Sequence, residues 1–233
     1  MRIRPTVALI TNDDGIVAVD GNPSDPGQVH NVSRYVLSAA LSEWGARVLP
    51  LRAHGVNSDG VLDALSLALA HADAIIIAID SGPKQRNVTA YAIDATRGGR
   101  IVSEGVRMTP GTSTVLGVAN NIPILGIPGA AVPALLTLRV LGEPIIRRLC
   151  GRTEVPRSVS RRLRNSVVAD GDMETLLLVH VGAGECTPVA TSALRSAPFA
   201  EANGFVRISP GAEIRAHDEV VVESLDGRLF GVL

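Results

Sequence analysis

Up to about residue 150, apolar runs rich in β-branched residues alternate with stretches of helical periodicity. The run from Asp73 to Ile79 is apolar at nearly every position, which is typical of a central parallel strand buried on both faces. This alternation predicts a three-layer α/β sandwich with a mostly parallel sheet. The predicted strands are 6–10, 47–51, 73–79, 115–118 and 122–127, and the predicted helices are 30–44, one starting at Ser58 or Asp59, a short one after Asn87, and 131–149.

The pattern changes after Gly151, where short alternating segments replace the strand–helix alternation. We therefore expect two domains, an α/β domain over residues 1–151 and a small antiparallel β domain over residues 152–233. The predicted strands of the second domain are 157–169, 174–181, 187–191, 205–209 and 219–224, with a short helix over 194–202.

Composition and net charge exclude several classes of protein. Hydrophobic residues make up 46% of the chain and the net charge is −1, which excludes intrinsic disorder and argues against non-specific nucleic-acid binding. Two cysteines are too few for a disulfide framework or a cysteine zinc site. The N-terminus has no signal-peptide pattern and no apolar run reaches membrane-spanning length. We expect a soluble cytoplasmic protein with neither nucleic-acid nor membrane partners.

Candidate chemistry follows three predicted strands of the α/β domain. In open parallel sheets, ligands bind beyond the carboxyl ends of the strands. Those ends carry residues 11–15, 80–87 and 128–131, so we expect one cleft to collect all three segments. Asp13 and Asp14 could hold Mg²⁺ through carboxylate oxygens, although taken alone the segment favours an ordinary Asp-Gly turn.

The segment 80–87 combines glycine with the entry to a helix, an arrangement that can cradle an anion. Lys84 and Arg86 would add positive charge, and a solvated connection is the equal alternative. The turns at 109–114 and 128–131 are, taken singly, more typical of structural turns. The five histidines lack metal-ligand spacing, and the chain has no G-x-S-x-G elbow, Walker loop or dinucleotide fingerprint.

The order of these segments resembles that of a known family. Residues 11–14 (T-N-D-D) resemble a T-G-D-E turn, 81–87 resemble an S-G-G-V-S-V-G loop, and 108–113 resemble an M-K-P-G-K-P turn. Residues 27–33 and 127–134 resemble a G-x-I-x-x-S-N helix start and an L-P-G-N-P-V-S-A turn. In this order, and with the tail 192–211, they make the chain similar to the C-terminal two domains of molybdopterin molybdotransferases of the MoeA and gephyrin E-domain type.

The resemblance implies a MogA- and MoaB-like molybdopterin-binding fold followed by the MoeA C-terminal domain. It also implies a molybdotransferase-like protein of molybdenum cofactor biosynthesis that binds molybdopterin or its adenylylated form, with Mg²⁺. A homodimer and a molybdoenzyme or cofactor-assembly partner are further implications. By the same resemblance, Asp14 and Asp59 are the catalytic and metal-binding candidates. The substrate-binding candidates are Thr11, Ser81, Gly82, Lys84, Arg86, Pro110, Gly111, Thr112, Pro128 and Gly129.

The chain also departs from the family pattern. Ala90-Tyr91 stands where the family has D-Y, and Pro83 and Asn87 replace two loop glycines. Thr112 replaces a lysine, Ala130-Ala131 replace N-P, and the family's two preceding domains are not in this chain. We therefore expect slow or absent molybdate insertion. Two alternatives stay open, a non-enzymatic pterin- or nucleotide-binding accessory protein, and a relative with other chemistry such as the competence-damage-inducible nucleotide hydrolases.

Overall fold

The computed structural model describes residues 4–12, 16–17, 29–54, 58–79, 87–153, 158–169, 171–189 and 200–225. The chain divides into two compact units. The α/β unit comprises Met1–Val106 and Ser113–Thr153, and the β unit comprises Arg107–Thr112 and Glu154–Leu233. No helix of the described ranges combines the length and the apolar character needed to cross a membrane.

A six-stranded sheet forms the centre of the α/β unit, and its strands lie in the order Arg47–Ala53 (β4), Thr6–Asn12 (β1), Ala74–Ala78 (β5), Ile122–Ile127 (β9), Val115–Ala119 (β8) and Gly99–Glu104 (β6). β4, β1, β5 and β9 are parallel, and β8 runs antiparallel to both of its neighbours. The elements up to residue 153 are β1 (Thr6–Asn12), β2 (Ile16–Val17), β3 (Val29–His30), α1 (Val32–Glu43), β4 (Arg47–Ala53), α2 (Ser58–Leu69), β5 (Ala74–Ala78), α3 (Val88–Ala95), β6 (Gly99–Glu104), β7 (Met108–Thr109), β8 (Val115–Ala119), β9 (Ile122–Ile127), α4 (Ala131–Thr137) and α5 (Glu143–Leu149).

Helices cover both faces of this sheet. Ala8, Ile10, Ile75 and Ile77 pack in one core cluster with the apolar faces of α2 and α3. Side chains alternate between the faces of a strand, so Val7, Leu9 and Ile76 point to the opposite face, where α1 contacts β1 and α4. The predicted three-layer α/β sandwich is therefore confirmed.

The predicted helix 131–149 contains a π-helical segment, Leu138–Gly142, between α4 and α5. A small buried ion cluster lies there. Glu143 is 1% exposed and pairs with both Arg139 and Arg147, and the Arg139 guanidinium lies 5.9 Å from the ring centre of Trp44. Since buried charges persist only when they are paired, the two arginines compensate the buried Glu143 carboxylate next to the irregular turn.

Five strands of the β unit form a closed sheet, in the order Glu185–Pro188 (β13), Ser158–Leu163 (β10), Glu219–Ser224 (β16), Gly204–Ile208 (β14) and Glu174–Val181 (β12), and β12 pairs back to β13. The pairings are antiparallel except for β10 with β13 and for β7, which extends the sheet from β12. The strands are β10 (Ser158–Leu163), β11 (Val167–Val168), β12 (Glu174–Val181), β13 (Glu185–Pro188), β14 (Gly204–Ile208), β15 (Glu213–Ile214) and β16 (Glu219–Ser224). A β-rich second unit was predicted, and the structure confirms it.

The predicted strand 157–169 is in fact two strands. The backbone of Leu163 exchanges hydrogen bonds with the 217–218 turn, and the chain then leaves the closed sheet. It pairs again as β11 with β15, at Val167 with Ile214. Most of the predicted helix 194–202 lies outside the described residues.

Candidate functional site

The carboxyl ends of three parallel strands meet in one row. Thr11 of β1 is in register with Ala78 of β5, and Ala78 is in register with Ile127 of β9. The segments that follow these strands therefore leave the sheet from adjacent positions along one edge. This is the arrangement that the order of strands and loops in the sequence predicts for a ligand cleft.

Thr11 supplies an unusual polar group at this edge. Its side chain is 3% exposed, and Oγ1 has no hydrogen-bond partner among the residues that the structure describes. By strand alternation it points to the α1 and α4 face, like Val7 and Leu9. A buried hydroxyl without a partner costs about 1 to 3 kcal/mol, so this position is one where a ligand could supply the missing partner.

The Pro128-Gly129 turn is tied to the start of α1. Asn31 caps that helix, its side chain accepting a 3.0 Å hydrogen bond from the Arg34 amide. Two residues later, Ser33 Oγ donates a 2.7 Å hydrogen bond to the Gly129 carbonyl oxygen. The bond connects segments 96 residues apart in the chain and fixes the turn after β9 against α1.

Asn87 organises the end of the 80–87 segment. Its Oδ1 accepts from the amides of Thr89 and Ala90, so it caps α3, and its Nδ2 donates to the Ser113 carbonyl at 3.0 Å. Gly126 of β9 lets α3 approach closely, because a Cβ there would lie 2.7 Å from Thr89 Cγ2. The start of α3 is therefore held against β9 directly below the strand ends.

Ala90 faces the core. It is 0% exposed and belongs to the cluster under α2 and α3. The resemblance aligns Ala90 with the acid of the family's D-Y pair, and a carboxylate at this buried position would point into apolar packing. The likeness of Ala90-Tyr91 to a D-Y pair does not indicate which face of α3 Ala90 occupies.

Asp59 lies in the first turn of α2 and is exposed. The start of this helix contacts the end of β4, since a Cβ on Gly60 would overlap the His54 carbonyl oxygen. β4 ends beside β1, with Ala53 in register with Asn12, so Asp59 stands at the same sheet edge. Within the described ranges, no three His, Cys, Asp or Glu side chains group as a metal site.

The other predicted site residues fall in two groups. Asp14, Ser81, Gly82, Lys84 and Arg86 lie outside the described residues. Pro110, Gly111 and Thr112 follow β7 and belong to the β unit, where Thr109 is in register with Thr175 of β12. Arg107 strengthens this attachment by donating from Nε and Nη2 to the Asp172 carbonyl, at 3.1 and 2.9 Å.

Two contributing residues, Ser33 and Asn87, were not predicted as site residues. Asn87 had a readable signal, since an asparagine directly before an apolar helical run is a typical N-cap. Ser33 had none, because its partner is distant in sequence and only the fold brings them together.

The α/β unit is similar in sequence to known proteins. A family described as probable molybdopterin binding domain matches residues 8–148. A molybdopterin molybdenumtransferase of Nostoc sp. is 30% identical over 181 residues, covering 75% of this chain and 41% of the relative. Molybdopterin molybdenumtransferase 1 of Mycobacterium tuberculosis is 26% identical over 235 residues, covering 94% of this chain and 54% of the relative.

A solved structure extends the likeness to both units. The molybdopterin biosynthesis moea protein from Pyrococcus horikosii superposes with a TM-score of 0.84 at 23% identity, covering 95% of this chain and 55% of that one. The chain therefore spans about half the length of the relatives that it matches.

Proposed function

As this chain belongs to the molybdopterin-binding family, as a divergent MoeA-like member, we propose that the strand-end edge of its α/β unit binds molybdopterin or the adenylylated form. The observation that carries the proposal is the Thr11 hydroxyl. It is buried at the row of strand ends and has no partner within the described part of the chain. A polar ligand atom in this cleft would relieve that cost.

The surrounding residues suit a phosphorylated ligand. The Ser33–Gly129 bond fixes one side of the cleft, and the Asn87 cap fixes the other. Lys84 and Arg86 precede Asn87 in the sequence, and we assign to them charge-assisted contacts with phosphate oxygens. Ser81 and Gly82 precede them in the same segment and would supply a hydroxyl and backbone N–H donors.

Carboxylates at the same edge suit Mg²⁺, which binds proteins through one or two carboxylates and keeps waters and phosphate oxygens as its other ligands. Asp59 is exposed at this edge, and Asp14 comes two residues after the end of β1 in the sequence. We assign the two as the residues that would hold the ion. Bound there, it would supply positive charge to the phosphate oxygens of the ligand.

The residues that we assign to the site all belong to the α/β unit. Pro110, Gly111 and Thr112 are not among them, because they belong to the β unit. We infer that the chain binds its ligand and performs molybdate insertion slowly or not at all. The altered 81–87 loop, with Pro83 and Asn87 in place of two glycines, supports this reading. A non-enzymatic accessory role in molybdoenzyme assembly is the second candidate, favoured by the same departures.

Titration calorimetry with adenylylated molybdopterin tests the binding proposal. Replacing both Lys84 and Arg86 by alanine removes two charge-assisted contacts and is expected to weaken binding about tenfold or more. The matched control removes two exposed arginines beyond the other end of α3, Arg97→Ala with Arg100→Ala, and should leave affinity unchanged. Equal losses in both double variants would refute the assignment.

Release of AMP from adenylylated molybdopterin, with Mg²⁺ and molybdate present, separates the two candidates. Turnover at the rate of a full-length family enzyme contradicts slow or absent insertion. Binding without turnover supports the accessory role. The homodimer implied by the resemblance stays a prediction, which light scattering over a wide range of chain concentrations would check.

A further inference from the structure

A second cavity lies away from the strand-end row, along the β4 edge of the sheet. It has a volume of about 460 Å³ and runs between β4 and α2. Its lining includes Thr6, Arg47, Leu49, Leu51, Leu67 and His71. The volume falls in the range of pockets that hold small organic ligands, roughly 300 to 1,000 Å³.

The lining is divided between an apolar wall and a cationic end. Leu49 and Leu51 alternate with the strand period on the face toward α2, and Leu67, half-exposed on α2, completes the wall. Arg47 begins β4, and His71 follows the C-terminal end of α2, so both lie at the amino end of the parallel strands. The cavity therefore offers an aliphatic surface that ends in basic side chains.

Arg47 is held in place rather than free to rotate. Its Nε and Nη2 donate to Thr6 Oγ1 at 3.2 and 2.7 Å. Thr6 is 8% exposed and its own amide donates to Asp73 Oδ2 at 2.7 Å, which fixes the strand end. Within the described ranges, no carboxylate pairs with the Arg47 guanidinium, so its charge is available to an acidic ligand.

β4 is an edge strand, so a peptide strand could in principle add to it. Its sequence argues against this. The Arg47 amide donates to Pro5 of the β1 side, so by alternation the outward-facing backbone positions are Val48, Pro50 and Arg52. Pro50 has no N–H and interrupts the outward row at its centre. The β4 edge is therefore poorly suited to the addition of a peptide strand.

We propose that this cavity binds a small amphipathic carboxylate, with its acid on Arg47 and its hydrocarbon body on Leu49, Leu51 and Leu67. Arg47 would place the acid at the amino end of the strands, opposite the end that carries the Thr11 row. Such a ligand could thus be held while the strand-end cleft is occupied.

Octanoate is the probe, added to the full chain and followed by calorimetry and by the amide signals of isotopically labelled protein. We expect saturable binding that shifts the signals of β4 and of the end of α2. Octanol, which has the same chain without the charge, should bind at least about tenfold more weakly. Octanol binding as tightly as octanoate would overturn the proposal.

Two variants locate the carboxylate. Arg47→Ala should weaken octanoate binding about tenfold or more, whereas Arg52→Ala, which removes an exposed arginine from the same strand, should not. If Arg47→Ala fails to fold because it loses the bonds to Thr6, Leu67→Glu at a half-exposed position serves instead, since its charge should repel the acid.

Equal effects of Arg47→Ala and Arg52→Ala would overturn the proposal. So would octanoate binding that never saturates. Signals of β4 that shift with protein concentration in the absence of octanoate would show that a second copy covers this edge, and would overturn it as well.

Discussion

The hydroxyl of Ser33 donates a 2.7 Å hydrogen bond to the carbonyl oxygen of Gly129, joining the first turn of α1 to the turn that precedes α4. These two segments flank the proposed binding edge, and the bond holds them together. A neutral hydrogen bond of this kind is worth about 1 kcal/mol, which corresponds to roughly a fivefold change in an equilibrium constant.

Ser33→Ala should therefore weaken the binding of adenylylated molybdopterin about fivefold, measured by calorimetry. Ser66→Ala is a matched control, because Ser66 Oγ also donates to a backbone carbonyl, that of Leu62 at 2.9 Å, on an exposed face of α2. Equal affinities for the two variants would mean that the Ser33 bond does not shape the cleft.

Thr11→Val should stabilise the ligand-free chain and weaken its binding. Valine keeps the shape of threonine and removes the hydroxyl that has no partner among the described residues, so the free energy of unfolding should rise by about 1 kcal/mol. Affinity for the pterin should fall, because the hydroxyl is the group offered to the ligand. Chemical denaturation and calorimetry measure the two effects.

Thr137→Val controls for this substitution. Thr137 Oγ1 is also buried without a partner in the described chain, but it lies at the end of α4, six residues and about 9 Å along the helix from its start. This variant should gain stability without losing affinity. If both variants lose affinity alike, Thr11 has no special role in the site.

Replacing Glu143 by glutamine should destabilise the α/β unit by about 3 to 5 kcal/mol. The carboxylate is buried between Arg139 and Arg147, and removing its charge leaves buried guanidinium charge uncompensated. Glu223→Gln in the β unit is the comparison, since it pairs with Arg207, which is 40% exposed, and should cost at most about 1 kcal/mol. Denaturant unfolding gives both values, and similar losses would contradict the assigned role of the cluster.

Ala90→Asp should lower stability and restore no activity. Position 90 is fully buried under α3, so a carboxylate there is either desolvated or forces the helix away from β9. Tyr91→Asp adds the same charge one residue later, at a position 41% exposed, and should cost much less. Thermal unfolding distinguishes the two variants, and increased AMP release by Ala90→Asp would contradict this prediction and show that the missing acid limits activity.

Burial raises the pKa of the Cys186 thiol above its ordinary value, against a smaller opposite effect of Arg161. A thiol with a raised pKa in the folded state keeps its proton where the unfolded chain loses it. The folded state is therefore favoured fully at neutral pH, and this contribution declines as the pH rises above about 8.5. Denaturation at several pH values should show a steeper alkaline decline for the natural chain than for Cys186→Ala, and parallel declines would contradict it.

Sequence patterns captured the features that are local in the chain. The apolar run before Asp80 gave β5 within one residue at each end, and the Asn120-Asn121 turn joins β8 and β9 with both residues at positive φ. Sequence patterns did not predict features that depend on contacts between residues far apart in the chain. β7 is two residues long and is placed by its pairing with β12, and Arg139 lies against the ring of Trp44, which is distant in the chain.

Residues 107–112 belong to the β unit but lie in the sequence between two segments of the α/β unit, which limits where the protein can be cut. The chain passes between its two units three times, after Val106, after Thr112 and after Thr153. A cut near residue 153 would release a C-terminal fragment whose longest strand, β12, has lost its parallel neighbour, and would leave Met108–Thr109 without the sheet that it extends. A chimera that takes the β unit of a relative must therefore replace both of its segments, 107–112 and 154–233, at the same time.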